Sequence, residues 1–263
     1  MQPYWTRQTR AKPLFPDLLW SRPENRAHAG KLLITGGNAY GFAAPAEAYA
    51  EAVKAGIGTA RVLLPDSLQK TVGRVFAAGE YAPSTPSGSF GQKTLAELLS
   101  FSNWSDATLL AGDFGRNSET AILLEKFIQK YSGQLTITQD AADYFIKTPA
   151  DSLNRHDTLF VISFAQLQKL AIGAGFTKAF TYEMDFIRLV ENLHEFTKNY
   201  PVHVITRHHD NIFAAVNGQV STTAIEPEPK IWRVKTAAHA ATWWLQNPGK
   251  PFEALTTSLI RNG

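Results

Sequence analysis

A chain of 263 residues with 44% hydrophobic side chains, among them 16 Phe and 6 Trp, has the material for a sizeable core and fits one large domain better than two. It contains no Cys, which excludes disulfides, thiolate metal sites and a Cys nucleophile. The net charge of +3 is a small excess crowded at Arg7, Arg10, Lys12, Arg22 and Arg26, and no apolar run approaches the roughly 20 residues of a membrane span, so neither nucleic acid nor a membrane is an expected partner.

Residues 1–30 hold Pro3, Pro13, Pro16 and Pro23 and read as an irregular lead-in to a single domain spanning 1–263. The polar opening Met1–Lys12 lacks the apolar core of a secretory signal, and a cytoplasmic protein is expected. Lys31–Thr35 is a short buried strand, followed by a turn punctuated by Gly36, Gly37 and Gly41. Ala43–Lys54 is an Ala-rich helix that stops at Gly56 and Gly58, and Ala60–Leu64 is the next strand, closed by Pro65 and Asp66. This is a βαβ unit, which implies parallel strands. Tyr81–Gly91, rich in Pro, Ser and Gly, reads as a mobile loop with the character of a lid. Helices are expected at Gln92–Ser100 and at Glu119–Tyr131, the latter capped by Asn117 or Ser118, with a strand at Ala107–Ala111 between them. Strands Leu135–Thr138 and Leu159–Ile162 follow, then a short helix Phe164–Leu170 and a long amphipathic helix Tyr182–Asn199. Val202–Ile205, Ile212–Val216 and Gln219–Thr222 read as strands, the last two joined by the hairpin pair Asn217-Gly218. Helices Thr236–Leu245 and Phe252–Leu259 end the pattern. The alternation predicts a mainly parallel sheet with helices on both faces.

Two glycine turns fall where strands hand over to helices, at Gly36-Gly37-Asn38-Ala39-Tyr40-Gly41 and at Ala111–Asn117. Such turns let a ligand approach the backbone, and the following helix N-terminus favours an anion, so phosphate is the natural guest; a purely structural turn is the competing reading. Asp113 and Arg116 sit in the second turn as candidate site residues. Asp140 and Asp143 follow a strand, where a carboxylate pair can hold Mg²⁺ or act as a base, or simply favour a helix N-terminus. Arg207-His208-His209-Asp210 reads as an exposed hairpin turn, since adjacent side chains of a strand point apart and a shared metal is disfavoured. His239 and Trp243, four apart, share a helix face.

With these residues on the page, the chain resembles the NAD(P)H-hydrate dehydratases of the ribokinase-like superfamily. The likeness runs through Ser21-Arg22-Pro23, His28–Gly37, Tyr40, Ala43-Ala44 and Lys54–Gly58, continues at Leu109–Asn117, and is fainter at Thr136–Asp140 and Pro251–Ala254. It implies a ribokinase-like three-layer α/β/α sandwich, a hydrated nicotinamide cofactor as substrate, and ADP or ATP, with Mg²⁺ in the ATP case, as co-reactant. By the same resemblance Ala44 and Gly115 stand where the family contacts the hydrated cofactor. Other family positions are changed. Ser163-Phe164-Ala165-Gln166 replaces a His-Pro-Gly-Glu, Ala142 replaces an Asp, and Thr206-Arg207 replaces a Lys-Gly beside the nucleotide. The Gly-x-Gly-Asp that supplies the family's anion hole and catalytic base falls on Trp232, Arg233, Val234 and Lys235.

The resemblance therefore implies a divergent, catalytically degenerate member that keeps a nucleotide or nicotinamide ligand. Gly36, Gly37, Asn38, Tyr40, Ala44 and Gly115 are expected at the ligand, with Arg207, Arg233 and Lys235 holding phosphate by charge. The alternative is an active dehydratase that uses Asp113 or Asp140 as a relocated carboxylate. A third reading, a plain dinucleotide binder, places a ribose on Asp66. A homo-oligomer is also expected, with an exposed Trp243-Trp244 helix as the contact.

Overall fold

The computed structural model describes residues 2–224 and 232–260. Ten strands form one sheet: β1 (Trp5–Gln8), β2 (Lys31–Gly36), β3 (Thr59–Pro65), β4 (Gly79–Ala82), β5 (Ala107–Gly112), β6 (Gln134–Thr138), β7 (Thr158–Ser163), β8 (His203–His208), β9 (Asn211–Val216) and β10 (Gln219–Ala224). Their order across the sheet is β1-β10-β9-β8-β7-β6-β5-β2-β3-β4. Strand β9 runs antiparallel to both its neighbours, and every other pairing is parallel. The helices are α1 (Pro16–Trp20), α2 (Ala43–Lys54), α3 (Gln69–Val72), α4 (Leu95–Trp104), α5 (Ser118–Lys130), α6 (Ala141–Ile146), α7 (Ala150–Leu153), α8 (Phe164–Gly173), α9 (Phe186–Asn199), α10 (Trp232–Gln246) and α11 (Pro251–Ser258).

Side chains alternate across each strand, so one sheet feeds two cores. Leu32, Ile34, Val62, Leu64, Leu109, Leu159 and Val161 pack under α2, α10 and α11. Leu33, Leu63, Leu110, Ile137, Phe160 and Ile162 pack under α4, α5, α6, α8 and α9. This is the three-layer sandwich with a mainly parallel sheet that the alternation predicts. Local chemistry sets the helix ends. Asn117 caps α5 by accepting from Glu119 N (2.8 Å) and Thr120 N (3.3 Å), as expected. Gly56, at φ +85, closes α2 with bonds from Gly56 N to Val53 O and from Ile57 N to Ala52 O.

Several expectations are corrected. The lead-in is not wholly irregular: Trp5–Gln8 forms β1, pinned to β10 by Trp5 Nε1 donating to Thr222 Oγ1 (3.1 Å) and Gln8 Nε2 to Thr223 Oγ1 (2.8 Å). The segment Tyr81–Gly91 starts inside β4 and is tied down. Gly91 N donates to Pro83 O, Gly88 N to Thr85 O and Ala39 N to Gly88 O, while Phe90 is fully buried. Helix α9 starts at Phe186 rather than Tyr182, because Asp185 caps it through Arg188 N (2.8 Å). Helix α10 starts at Trp232, a turn earlier than expected. Trp243 and Trp244 are 3% and 1% exposed, so they are core rather than an oligomer contact. Among the described residues no helix is long and apolar enough to cross a membrane.

Candidate functional site

The direction of strand addition reverses between β2 and β5, with β3 on one side and β6, β7 and β8 on the other. Ligands of open α/β sheets bind at such a switch point, outside the carboxyl ends of the strands. Here Gly36 of β2 pairs with Gly112 of β5 across a register shift. A Cβ on Gly36 would stand 2.2 Å from the Gly112 carbonyl oxygen, so only glycine permits this approach.

The amides of the first glycine turn are committed within the chain. Gly37 N donates to Gly112 O (3.0 Å), Asn38 N to Gly41 O (2.9 Å), Ala39 N to Gly88 O (2.9 Å) and Gly41 N to Asn38 O (3.0 Å). Tyr40 N donates to Asn38 Oδ1 (2.8 Å), which leaves the Tyr40 ring 93% exposed. Asn38 Nδ2 donates to Asp113 O (2.6 Å) and links the two glycine turns. The amide expected to meet a ligand at the start of α2, Ala44 N, donates to Asp113 Oδ2 (2.7 Å). A carboxylate of the chain itself thus sits at that helix N-terminus.

Gly115 N donates to Asp140 Oδ2 (3.0 Å), and Phe114 N to Asp140 Oδ1 (3.4 Å). Burial raises the Asp140 carboxyl above the usual carboxylate range; the two amides oppose this, and Asp113 and Asp143 add to it. Tyr144 OH donates to Gly115 O (2.5 Å) and fixes the turn from the far side.

At the start of α8, Ser163 and Gln166 form a capping box. Gln166 is also a hub. Its Nε2 donates to Gln139 O (2.8 Å) and Asp143 Oδ1 (2.9 Å), and its Oε1 accepts from Arg233 Nη1 (2.9 Å). This ties the β6–α6 turn, α8 and the first turn of α10 together. On the neighbouring wall Lys235 Nζ lies 3.8 Å from Glu47 Oε2, and His239 Nδ1 lies 3.1 Å from Glu51 Oε1, both joining α10 to α2.

Between these walls lies a cavity of ≈ 440 Å³. Ala43, Ala44 and Glu47 come from α2, Asp113 and Gln139 from the ends of β5 and β6, Ser163 from β7, and Trp232 and Arg233 from α10. Asp113 and Gln139 have positive φ, +60 and +55, and His209 after β8 has +47. Each costs about 1–3 kcal/mol at a non-glycine residue, and strain of this kind gathers at functional edges.

Of the residues singled out in the sequence, Ala43, Ala44, Asp113, Ser163, Trp232 and Arg233 line the cavity. Gly36, Gly37, Asn38, Tyr40, Gly115 and Asp140 build the turns that hold them, and Lys235 is turned to Glu47. Arg207 stands in β8 opposite Ser163 in register and does not line the cavity. Asp66 instead accepts from Ser84 N (3.0 Å), fastening the segment after β4. The hairpin turn expected at Arg207-His208-His209-Asp210 joins antiparallel β8 and β9, with His209 and Asp210 exposed; within it only His208 departs from expectation. His208 is buried at 4% exposure and stacks on Phe164 with centroids 4.3 Å apart, and the left-handed His209 folds its ring to within 4.1 Å of it. Glu47 and Gln139 escape sequence reading as lining residues. Glu47 stands one helical turn after Ala43 on the same face, a spacing that could have revealed it. Gln139 offers only its place after a strand. Among the described residues no group of three or more His, Asp or Glu side chains could hold a metal ion.

No protein-family model and no curated protein matches this sequence. Solved structures do match its fold. A ribokinase-like superfamily protein from Enterococcus faecalis V583 superposes with a TM-score of 0.72 at 12% identity, over 99% of this chain and 86% of its own. An ADP/ATP-dependent NAD(P)H-hydrate dehydratase from Bacillus subtilis, co-crystallised with ATP/Mg²⁺, gives 0.61 at 10% identity over 94% and 86%. A Bacillus subtilis pyridoxal kinase in an ADP complex gives 0.56 at 10% identity over 87% and 88%. The sheet and its helices therefore have the ribokinase-like α/β fold.

Proposed function

We propose that this chain binds a small ligand of the nucleotide or nicotinamide class at the carboxyl edge of its sheet, and that it does so without the dehydratase chemistry of the family it resembles. The first turn of α10 carries this reading. Trp232 and Arg233 form the cavity wall there, and Lys235 pairs with Glu47. A guanidinium or ammonium cannot accept a proton at neutral pH, so nothing in that turn can act as a base. Asp113 and Asp140 both serve backbone amides of the cleft. A volume of ≈ 440 Å³ suits a small-molecule site. ADP or ATP with Mg²⁺ fits these residues poorly. The amides of the first glycine turn are spent within the chain.

Thermal unfolding with nicotinamide mononucleotide, NAD, NADPH and hydrated NADPH tests the reading. At about 100 times Kd a bound ligand adds roughly 2.7 kcal/mol of stability. The expected result is stabilisation by at least one of them with no turnover of hydrated NADPH; a flat panel would sink the proposal. The raised pKa of Asp140 favours a second reading, a working dehydratase with Asp140 as base. That reading requires turnover of hydrated NADPH that Asp140→Asn abolishes.

A further inference from the structure

We infer that the cleft selects ligands with a single anionic group, received by Arg233, and rejects polyphosphates; this rests on the proposed reading of the cleft as a ligand site. Arg233 lines the cavity half-buried, and one of its N–H groups is used by Gln166. Among the described residues no carboxylate lies within 4.0 Å of its nitrogens. A guanidinium carries five donors in a fork that matches a carboxylate or a phosphate, so donors remain for a group inside the cavity. Burial already draws its pKa down, as expected of a cation short of a close partner.

The surroundings limit how much negative charge can join it. Glu47 and Asp113 line the same cavity, and Asp140 and Asp143 lie near enough to act on Arg233 through their charges. Lys235 is drawn to Glu47. Among the described residues four carboxylates therefore meet two cations, a formal excess of two negative charges. An anion seated on the guanidinium gains the close donors of Arg233, while a second or third phosphate beyond its reach meets only the repulsion of the carboxylates. Glu47 lines the cavity as well, a carboxylate wall that favours a hydroxyl or amine donor of the ligand over a second anion. The ligand class is a small molecule with one phosphate or carboxylate at one end and hydroxyl or amine donors at the other.

Isothermal titration of the full chain with matched probes tests this. Nicotinamide mononucleotide is compared with nicotinamide riboside, AMP with adenosine and with ADP, and nicotinate with nicotinamide. The phosphate pairs and the carboxylate pair separate the two anion chemistries. The anionic member of at least one pair should bind on the order of ten- to hundredfold more tightly, and ADP should bind more weakly than AMP. The preference should vanish in Arg233→Ala and Arg233→Lys. ADP binding as tightly as AMP overturns the inference, as does a preference that survives both Arg233 variants or is lost in Lys235→Ala instead. Binding without charge preference defeats this inference alone, whereas no binding of any probe defeats the reading of the cleft as well.

Discussion

His203 shows how far burial controls a single group. It lies 3% exposed at the start of β8, its ring 5.0 Å from Trp244 on α10, and burial pushes its pKa down from 6.5 to about 4. The folded state thus holds it neutral, while the unfolded chain protonates it near its ordinary value. Stability from this residue is complete above pH 6.5 and falls as pH drops toward about 4, by up to about 3 kcal/mol. Urea unfolding at pH 7 and pH 4 should show that loss in the wild type and a smaller one in His203→Phe; equal losses would remove His203 as a cause. Asp113 acts through a hydrogen bond instead, its Oδ2 accepting from Ala44 N. Asp113→Ala should cost about 1 kcal/mol through the lost cap, read from the urea midpoint. Gly36→Ala sets a Cβ 2.2 Å from a backbone oxygen that cannot swing away, and should cost at least about 1–3 kcal/mol in the same measurement.

At the scale of elements, what pairing alone stabilises is hardest to read. Strand β1 and strand β4 have four residues each and no apolar run, and both exist because a neighbouring strand offers an open edge. Removing residues 1–12 should therefore lower the melting temperature and promote aggregation, since it bares the hydrogen-bonding edge of β10; light scattering that stays flat on heating would contradict this. Elements with a strong pattern were legible in the sequence. The fully buried β5 reads as a short strand between two helices, α5 announces its cap at Asn117, and Asn217-Gly218 turns the hairpin with φ +48 and +79. The glycine seam of the candidate site was legible for the same reason, because glycine marks where backbones must meet. The walls were not. Gln139 gains its place from a left-handed turn, and Gln166 from partners 23 to 67 residues away.

Across the whole molecule, two cores share one sheet, and α10 crosses β5, β6 and β7 while also packing on α2 and α11. These contacts tie the late helix to the early strands and helix, and the chain is proposed to unfold as one unit. Tryptophan fluorescence and far-ultraviolet circular dichroism should then trace coincident urea transitions, and two resolved midpoints would show that parts of the molecule come apart separately. The parallel pairing of β1 with β10 also bears on synthesis. Gln8 leaves the ribosome 215 residues before its partner Thr223. At a translation rate of about 5–20 residues per second, the first strand waits on the order of ten seconds or more for the edge it completes, so the nascent chain must keep Trp5 and its neighbours from wrong partners until nearly all of the sheet has emerged.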